Sequence, residues 1–260
     1  DHRDLHSFPT RRSSDLLAVE QFTNNRFERN FFKYDMAVSQ SNFKSSFLLP
    51  RLQAKLEESI RLNSAENPNQ QQIAKHLRLI GNELGVLEKT TGVPPFEYTD
   101  NLKKGELNDD IIDELNGYLF FLKRTFSDNS RRAIHNRDSI YNKLTLKLGT
   151  DGFYKLKQQN HNATLAEWVL RNNEVTKYLE TDDRVIQKYE PIFMQPDHPW
   201  GRAHLYAPSK LFNGVYVRTI WFNITVIWLG TLFLYATLQL NFIHRIALLI
   251  ESFKKSRQSR

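Results

Sequence analysis

TIWFNITVIWLGTLFLYATL, Thr219 to Leu238, is the stretch on which the reading of this chain turns. Its twenty residues, at about 1.5 Å rise each, make a helix of about 30 Å, the thickness of a bilayer's hydrocarbon core. No Asp, Glu, Lys or Arg occurs between Arg218 and Arg245. Trp221 and Trp228 fall in the first half and Tyr235 near the far end, with Tyr216 just before, in partial agreement with aromatic belts at membrane interfaces. Asn223 and Gly230 are residue types that mediate packing against other helices in lipid. The span, bounded at residues 218–240 and opening on Thr219, is expected to be a transmembrane helix.

The 260 residues are otherwise polar, with a mean hydropathy of -0.55, which argues against many spans. Beyond the span, Ile243, Ile246, Ile250 and Phe253 keep a three-four spacing, while Arg245, Glu251, Lys254 and Lys255 fall elsewhere. Residues 241–260 therefore read as a short basic amphipathic tail lying along the membrane surface. Short basic tails stay cytoplasmic, so residues 16–215 are expected outside the cytoplasm. That tail carries +5 and -1 of the net +7, leaving +3 spread over the rest, too diffuse for a nucleic-acid stripe. The absence of cysteine excludes disulfides, thiolate metal sites and cysteine nucleophiles.

Upstream of the span the pattern is helical, and a mainly α fold is expected: an extracytoplasmic antiparallel helical bundle over 51–190. Leu52, Leu56 and Ile60 mark one helix, broken at Asn67-Pro68-Asn69. Ile73, Leu77, Ile80, Leu84 and Leu87 alternate four and three spacings, ending at Gly92, Pro94 and Pro95. A third helix begins after Asn108, a capping residue, with Ile111, Leu115, Tyr118, Leu122 and Phe126 as its stripe. A break is expected over Ser127–Ser130, after which Ile134, Tyr141, Leu144 and Leu148 continue. Gly149 and Gly152 punctuate, and shorter helices are expected over Phe153–Gln159, Leu165–Arg171 and Arg184–Tyr189. No alternation is strong enough to predict a sheet. Residues 16–50 read as a connector and 191–217 as an irregular juxtamembrane segment.

The chain holds no GxxxxGK[ST], GxGxxG, HExxH, GxSxG or CxxC, so no catalytic, cofactor-binding or metal residue is assigned. The cluster with most chemical potential is Asp197, His198, Trp200, Arg202 and His204, where a carboxylate and two imidazoles sit close in sequence. Pro196 and Pro199 deny it helical spacing, and a juxtamembrane loop with Trp200 at the headgroups is the favoured reading. His76 and His135 read as hydrogen-bonded or solvated. Asp109, Asp110, Asp113 and Glu114 suit the positive end of a helix dipole. Asn162-Ala-Thr164 matches a glycosylation acceptor only at three residues. Arg131, Arg132 and Arg137 read as a solvated face.

The opening residues, Asp1–Asp15 with Leu16 completing the frame, resemble codon for codon the translation of a common sequencing-library adapter. They are expected to be foreign to the protein, with native sequence continuing upstream of Leu16. LLAVEQFTNNRFERNFFKYD, 16–35, resembles the segment after the fifth membrane helix of ABCG-like permeases in the type-2 ABC-transporter class. Leu17, Ala18, Val19, Glu20, Gln21 and Phe22 stand at that pattern's positions, with Glu20-Gln21 in place of Asn-Glu. PDHPWGRAHLYAP, 196–208, followed by a Trp-, Phe- and Ile-rich span, is similar to the C-terminus of large bacterial ABC-transporter polypeptides. The resemblance implies ATP-driven transport of an unidentified substrate, by export, in the inner membrane. It also implies a homodimeric pathway, contacts with the lipid bilayer and other transmembrane helices of the same polypeptide, and a cassette binding ATP and Mg upstream. The rival readings are a single-pass, membrane-anchored helical interaction or sensor protein and, third, a membrane-bound enzyme using the Asp197–His204 cluster.

Overall fold

A computed structural model describes residues 23, 24, 26–170, 175–194, 196, 198, 200–203, 207 and 209–239. The adapter-like residues 1–15, the motif at 16–22, Asp197, His204 and the tail at 241–260 lie outside the described residues. Of the described residues 73% are helical, and the chain divides into two compact units, one reaching to Asp197 and taking in Leu205–Ala207, the other holding His198–His204 and everything from Pro208.

In the first unit, α1 (Phe32–Phe43) runs through a π turn (Lys44–Leu48) into α2 (Leu49–Asn63) without interruption. Proline explains the turn. Pro50 has no N–H for the Ser46 carbonyl and its ring crowds that carbonyl, so a wider turn relieves an otherwise broken helix. There the Leu49 N–H donates to the Lys44 carbonyl, five residues back. The division expected between a connector ending at 50 and a helical domain starting at 51 therefore falls inside one continuous helix.

α3 (Gln70–Thr91) starts where Asn69 Oδ1 accepts the Gln72 N–H at 3.2 Å and stops at Gly92, whose φ of 65° is left-handed. Its predicted stripe, Ile73, Leu77, Ile80, Leu84 and Leu87, is buried throughout. After the short α4 (Thr99–Lys104), α5 (Asp109–Asn160) begins with Asn108 Oδ1 accepting the Ile111 N–H at 2.8 Å. The break expected over Ser127–Ser130 is absent: Ser130 is buried and its hydroxyl donates to Asn42 Oδ1 at 2.7 Å, so a polar contact with α1 replaces solvent. The helix changes direction instead at Gly149, with φ 69° and ψ 164°. α6 (Ala163–Leu170) is capped by Asn162, whose Oδ1 accepts the Leu165 N–H at 3.1 Å.

Over Arg184–Tyr189, where a helix was expected, the chain forms a strand. β1 (Tyr178–Glu180) and β2 (Val185–Gln187) pair antiparallel, with Leu179 opposite Ile186. Val185, Gln187 and Tyr189 are buried in alternation, the two-residue period of a strand. The main core gathers the stripes of α2, α3 and α5 with Val185 and Tyr189. A second cluster joins Phe27 and Phe31 to Phe153, beyond the Gly149 kink.

The second unit holds a second hairpin, β3 (Ser209–Phe212) and β4 (Val215–Arg218), in the tract expected to be irregular. Asn213 and Gly214 turn it with φ of 47° and 82°, the paired positive values of a type I′ turn. β4 leads straight into α7 (Thr219–Gln239). No residue of α7 is buried, and it is the one helix among the described residues long and apolar enough to cross a membrane.

Candidate functional site

The juxtamembrane residues singled out from sequence fall in the second unit. Gly201 donates its N–H to the Leu211 carbonyl at 2.8 Å, laying the loop along β3. A Cβ at Gly201 would stand 2.3 Å from the Phe222 ring, and its φ is 70°, so only glycine fits. Trp200 packs edge-on to Phe212, yet remains 76% exposed. The Trp200 N–H donates to His198 Nδ1 at 3.3 Å, while His198 and Arg202 face solvent. The structure therefore brings Trp200 into contact with the hairpin but gathers no reactive group from this cluster among the described residues. Within α7, Asn223 Oδ1 accepts from Lys210 Nζ at 2.9 Å, and the same ammonium lies 4.8 Å from the Phe222 ring centre. Asn223 is thus engaged by its own hairpin. Gly230 has open space where a Cβ would stand, and Trp221, Trp228 and Tyr235 are exposed. Thr219 opens the helix directly after the last strand residue, Arg218.

A different site lies in the first unit. Between α1, the middle of α5, α6 and the 3₁₀ turn Pro191–Phe193 is a cavity of about 440 Å³, within the range of small-molecule pockets. Its walls combine the rings of Phe27, Phe31, Phe32 and Phe193 with the carboxylates of Glu28, Asp35, Glu167 and Glu190. Phe27 and Phe31 pack at 5.4 Å between ring centres, as do Phe32 and Phe193. A guanidinium and an imidazole share the walls, and both are held: Arg137 Nη1 stands 3.3 Å from Asp35 and its Nε 3.5 Å from Asp138, and His161 Nδ1 stands 3.1 Å from Glu28.

Burial pushes the Asp35 carboxyl above its ordinary range, against the opposing pull of Arg137. Glu190 is also raised, by burial first and by the neighbouring Asp35 charge, against a bond from the Ser39 hydroxyl and the attraction of Lys177. Its backbone sits at φ 50°, ψ 52°, a left-handed conformation that costs a side-chain-bearing residue about 1 kcal/mol. The Glu190 N–H donates to the Leu170 carbonyl at 2.7 Å, and Gln40 Nε2 donates to the Phe193 carbonyl at 2.7 Å, which pins this corner to α6 and α1. None of these cavity residues was singled out from sequence except Arg137, which was read as part of a solvated face.

A second polar cluster fastens β1 to α2 and α3. Lys55 Nζ lies 3.2 Å from Glu180, 3.5 Å from Glu58 and 3.3 Å from His76 Nε2, and Arg51 pairs with Glu180. Burial would raise the Glu180 carboxyl, but the hydrogen bonds from Arg51 and Lys55 prevail and hold it low. His76 is lowered by burial and by the Lys55 charge, so it stays neutral. Each charge here is matched by a neighbour, the pattern of a structural clasp rather than of a site awaiting a ligand.

Set beside known proteins, the chain matches no family profile, no curated protein and no solved structure.

Proposed function

We propose that this chain is the external helical domain and a membrane helix of a bacterial type-2 ABC-transporter polypeptide, which moves an unidentified substrate outward, driven by ATP. The observation carrying this reading is α7: twenty-one residues, none buried, whose most apolar eighteen have a mean hydropathy of 1.5, preceded by a short hairpin and a polar helical unit. The similarities of residues 16–35 and 196–208 to such polypeptides support it. On this reading the helices of the first unit form an antiparallel bundle outside the cytoplasm, and the basic tail lies inside. The protein is a homodimer in the inner membrane, in contact with lipid and the polypeptide's other spans. The residues present include no phosphate-binding loop, so ATP and Mg belong to a cassette elsewhere in the parent polypeptide and no step of nucleotide chemistry is assigned to this chain.

The test is the sequence of the parent locus together with topology. A reading frame with five further spans and a Walker A lysine upstream is expected. A frame with only one anchoring segment would replace the proposal with a single-pass interaction or sensor protein. Reporters fused at Lys104 and after Arg260 should read outside and inside respectively, and a cytoplasmic Lys104 sinks the external placement.

A further inference from the structure

We propose that the cavity between α1, α5, α6 and the Pro191–Phe193 turn binds an arylalkylammonium-type organic cation. In this arrangement Glu190 accepts hydrogen bonds from the ammonium group, and Phe27, Phe32 and Phe193 enclose the apolar part. The inference stands apart from the transport reading, since it rests on the first unit alone.

Three observations carry it. First, the volume of about 440 Å³ admits a bicyclic amine with room to spare. Second, the walls are aromatic where they are apolar, and a ring face attracts a cation more strongly as water is excluded. Third, the charges are unbalanced in one direction. Four acidic residues line the cavity, Glu167 at its solvent-exposed side, against one guanidinium already shared between Asp35 and Asp138 and one imidazole already beside Glu28, with the attraction of Lys177 reaching Glu190 from outside the lining. An anion entering the cavity would meet repulsion and find Arg137 already engaged; a neutral ligand would leave the half-buried Glu190 carboxylate with the Ser39 hydroxyl and the attraction of Lys177 as its only favourable partners. An ammonium ion supplies the missing countercharge and up to three donors to carboxylate oxygens. A hydrated divalent metal fits less well, because the phenyl rings cannot replace its water and the described residues hold no metal-ligating cluster.

The raised carboxyls agree with this geometry. A group that burial leaves reluctant to ionise gains most from a cation placed beside it.

The experiment uses the full chain in phosphatidylcholine nanodiscs, without ATP, titrated calorimetrically with tryptamine, with its neutral alcohol counterpart tryptophol and with indole-3-acetate; empty discs give the baseline. Tryptamine is expected to bind with Kd below about 1 mM, tryptophol at least tenfold more weakly, and indole-3-acetate more weakly still. Glu190→Gln keeps the size and an acceptor for Ser39 but removes the charge. It should weaken tryptamine at least tenfold and leave tryptophol unchanged. Equal affinity for tryptamine and tryptophol overturns the proposal, as does no tryptamine binding above empty discs, or unchanged tryptamine binding in a Glu190→Gln protein of normal helical circular dichroism. Were that variant to lose its helices, the comparison of the two ligands on the unaltered chain still decides. Failure here would leave the transport reading standing, because no step measured involves ATP or a second membrane helix.

Discussion

At the first position of the π turn, Lys44 places its ammonium group 5.2 Å from the ring centre of Phe126. Burial lowers its pKa from 10.5 to about 8. The folded state therefore releases this proton more readily than the unfolded chain, and stability rises with pH between about 8 and 10.5. Below that window the protein carries the full cost of holding a buried charge. Lys44→Met keeps the unbranched chain and the contact with Phe126 while removing the charge. A shift of about 2.5 in pKa corresponds to about 3 kcal/mol, of which the lost attraction to the ring returns about 1 kcal/mol. The variant should be about 2 kcal/mol more stable near neutral pH, with the gain shrinking above about pH 8 and vanishing near pH 10.5. Denaturant midpoints measured at neutral and alkaline pH check this; a gain independent of pH would place its origin in packing rather than charge. His76 acts in the same sense at lower pH. Its lowered pKa leaves stability whole above the ordinary imidazole range and erodes it as the unfolded chain takes up protons below about pH 6.5.

At the scale of elements, α5 owes its change of direction to one residue. Gly149 holds φ 69° with ψ 164°, a region essentially closed to residues with a Cβ, although a Cβ there would touch nothing within 4 Å. The penalty for Gly149→Ala is thus conformational rather than steric: about 2 kcal/mol if the kink is kept. Straightening α5 instead would pull Phe153 away from Phe27 and Phe31. Either response lowers the thermal midpoint. Gly117→Ala, mid-helix and open to solvent, should raise it slightly, and circular dichroism melts distinguish the two. This kink was legible because a glycine interrupts a clear stripe. The stripe of α3, the break at Asn67-Pro68-Asn69 and the cap at Asn108 were legible for the same reason, each residing in neighbouring residues. Arg184–Tyr189 misled because six residues satisfy a helical and a two-residue period alike, and burial in the fold decided between them. Asn213-Gly214 was a genuine signal for the second hairpin, overlooked beside a proline-rich tract. At Ser127–Ser130 short polar residues suggested a break, but the Asn42 partner that keeps Ser130 inside a helix is 88 residues away in sequence.

At the scale of the whole chain, the same contrast separates the span from the cavity. The span is one contiguous run, whereas the cavity is assembled from Phe27 through Phe193, so its carboxylates never form a motif along the chain. The span also bears on where the protein sits. A helix of twenty-one residues with no residue buried and nearly all of its large apolar side chains exposed is costly in water and stable in lipid. Its apolarity is moderate, with mean hydropathy 1.5 over its most apolar eighteen residues, since Asn223, Gly230 and Thr219, Thr225, Thr231 and Thr237 interrupt the larger side chains. Membrane integration should therefore be sensitive to one charge at its middle. Leu229→Arg replaces a residue that favours insertion by about 0.5 kcal/mol with one that opposes it by about 3 kcal/mol at a helix centre. The unaltered chain should stay in the membrane pellet after alkaline extraction, and Leu229→Arg should shift substantially to the supernatant with the helices of the first unit intact. Val175→Arg, an equal charge change at a residue 98% exposed outside the span, should behave as the unaltered chain. If Leu229→Arg remained in the pellet as firmly as Val175→Arg, α7 would not be what holds this chain in the bilayer, and the transporter reading would lose the observation that carries it.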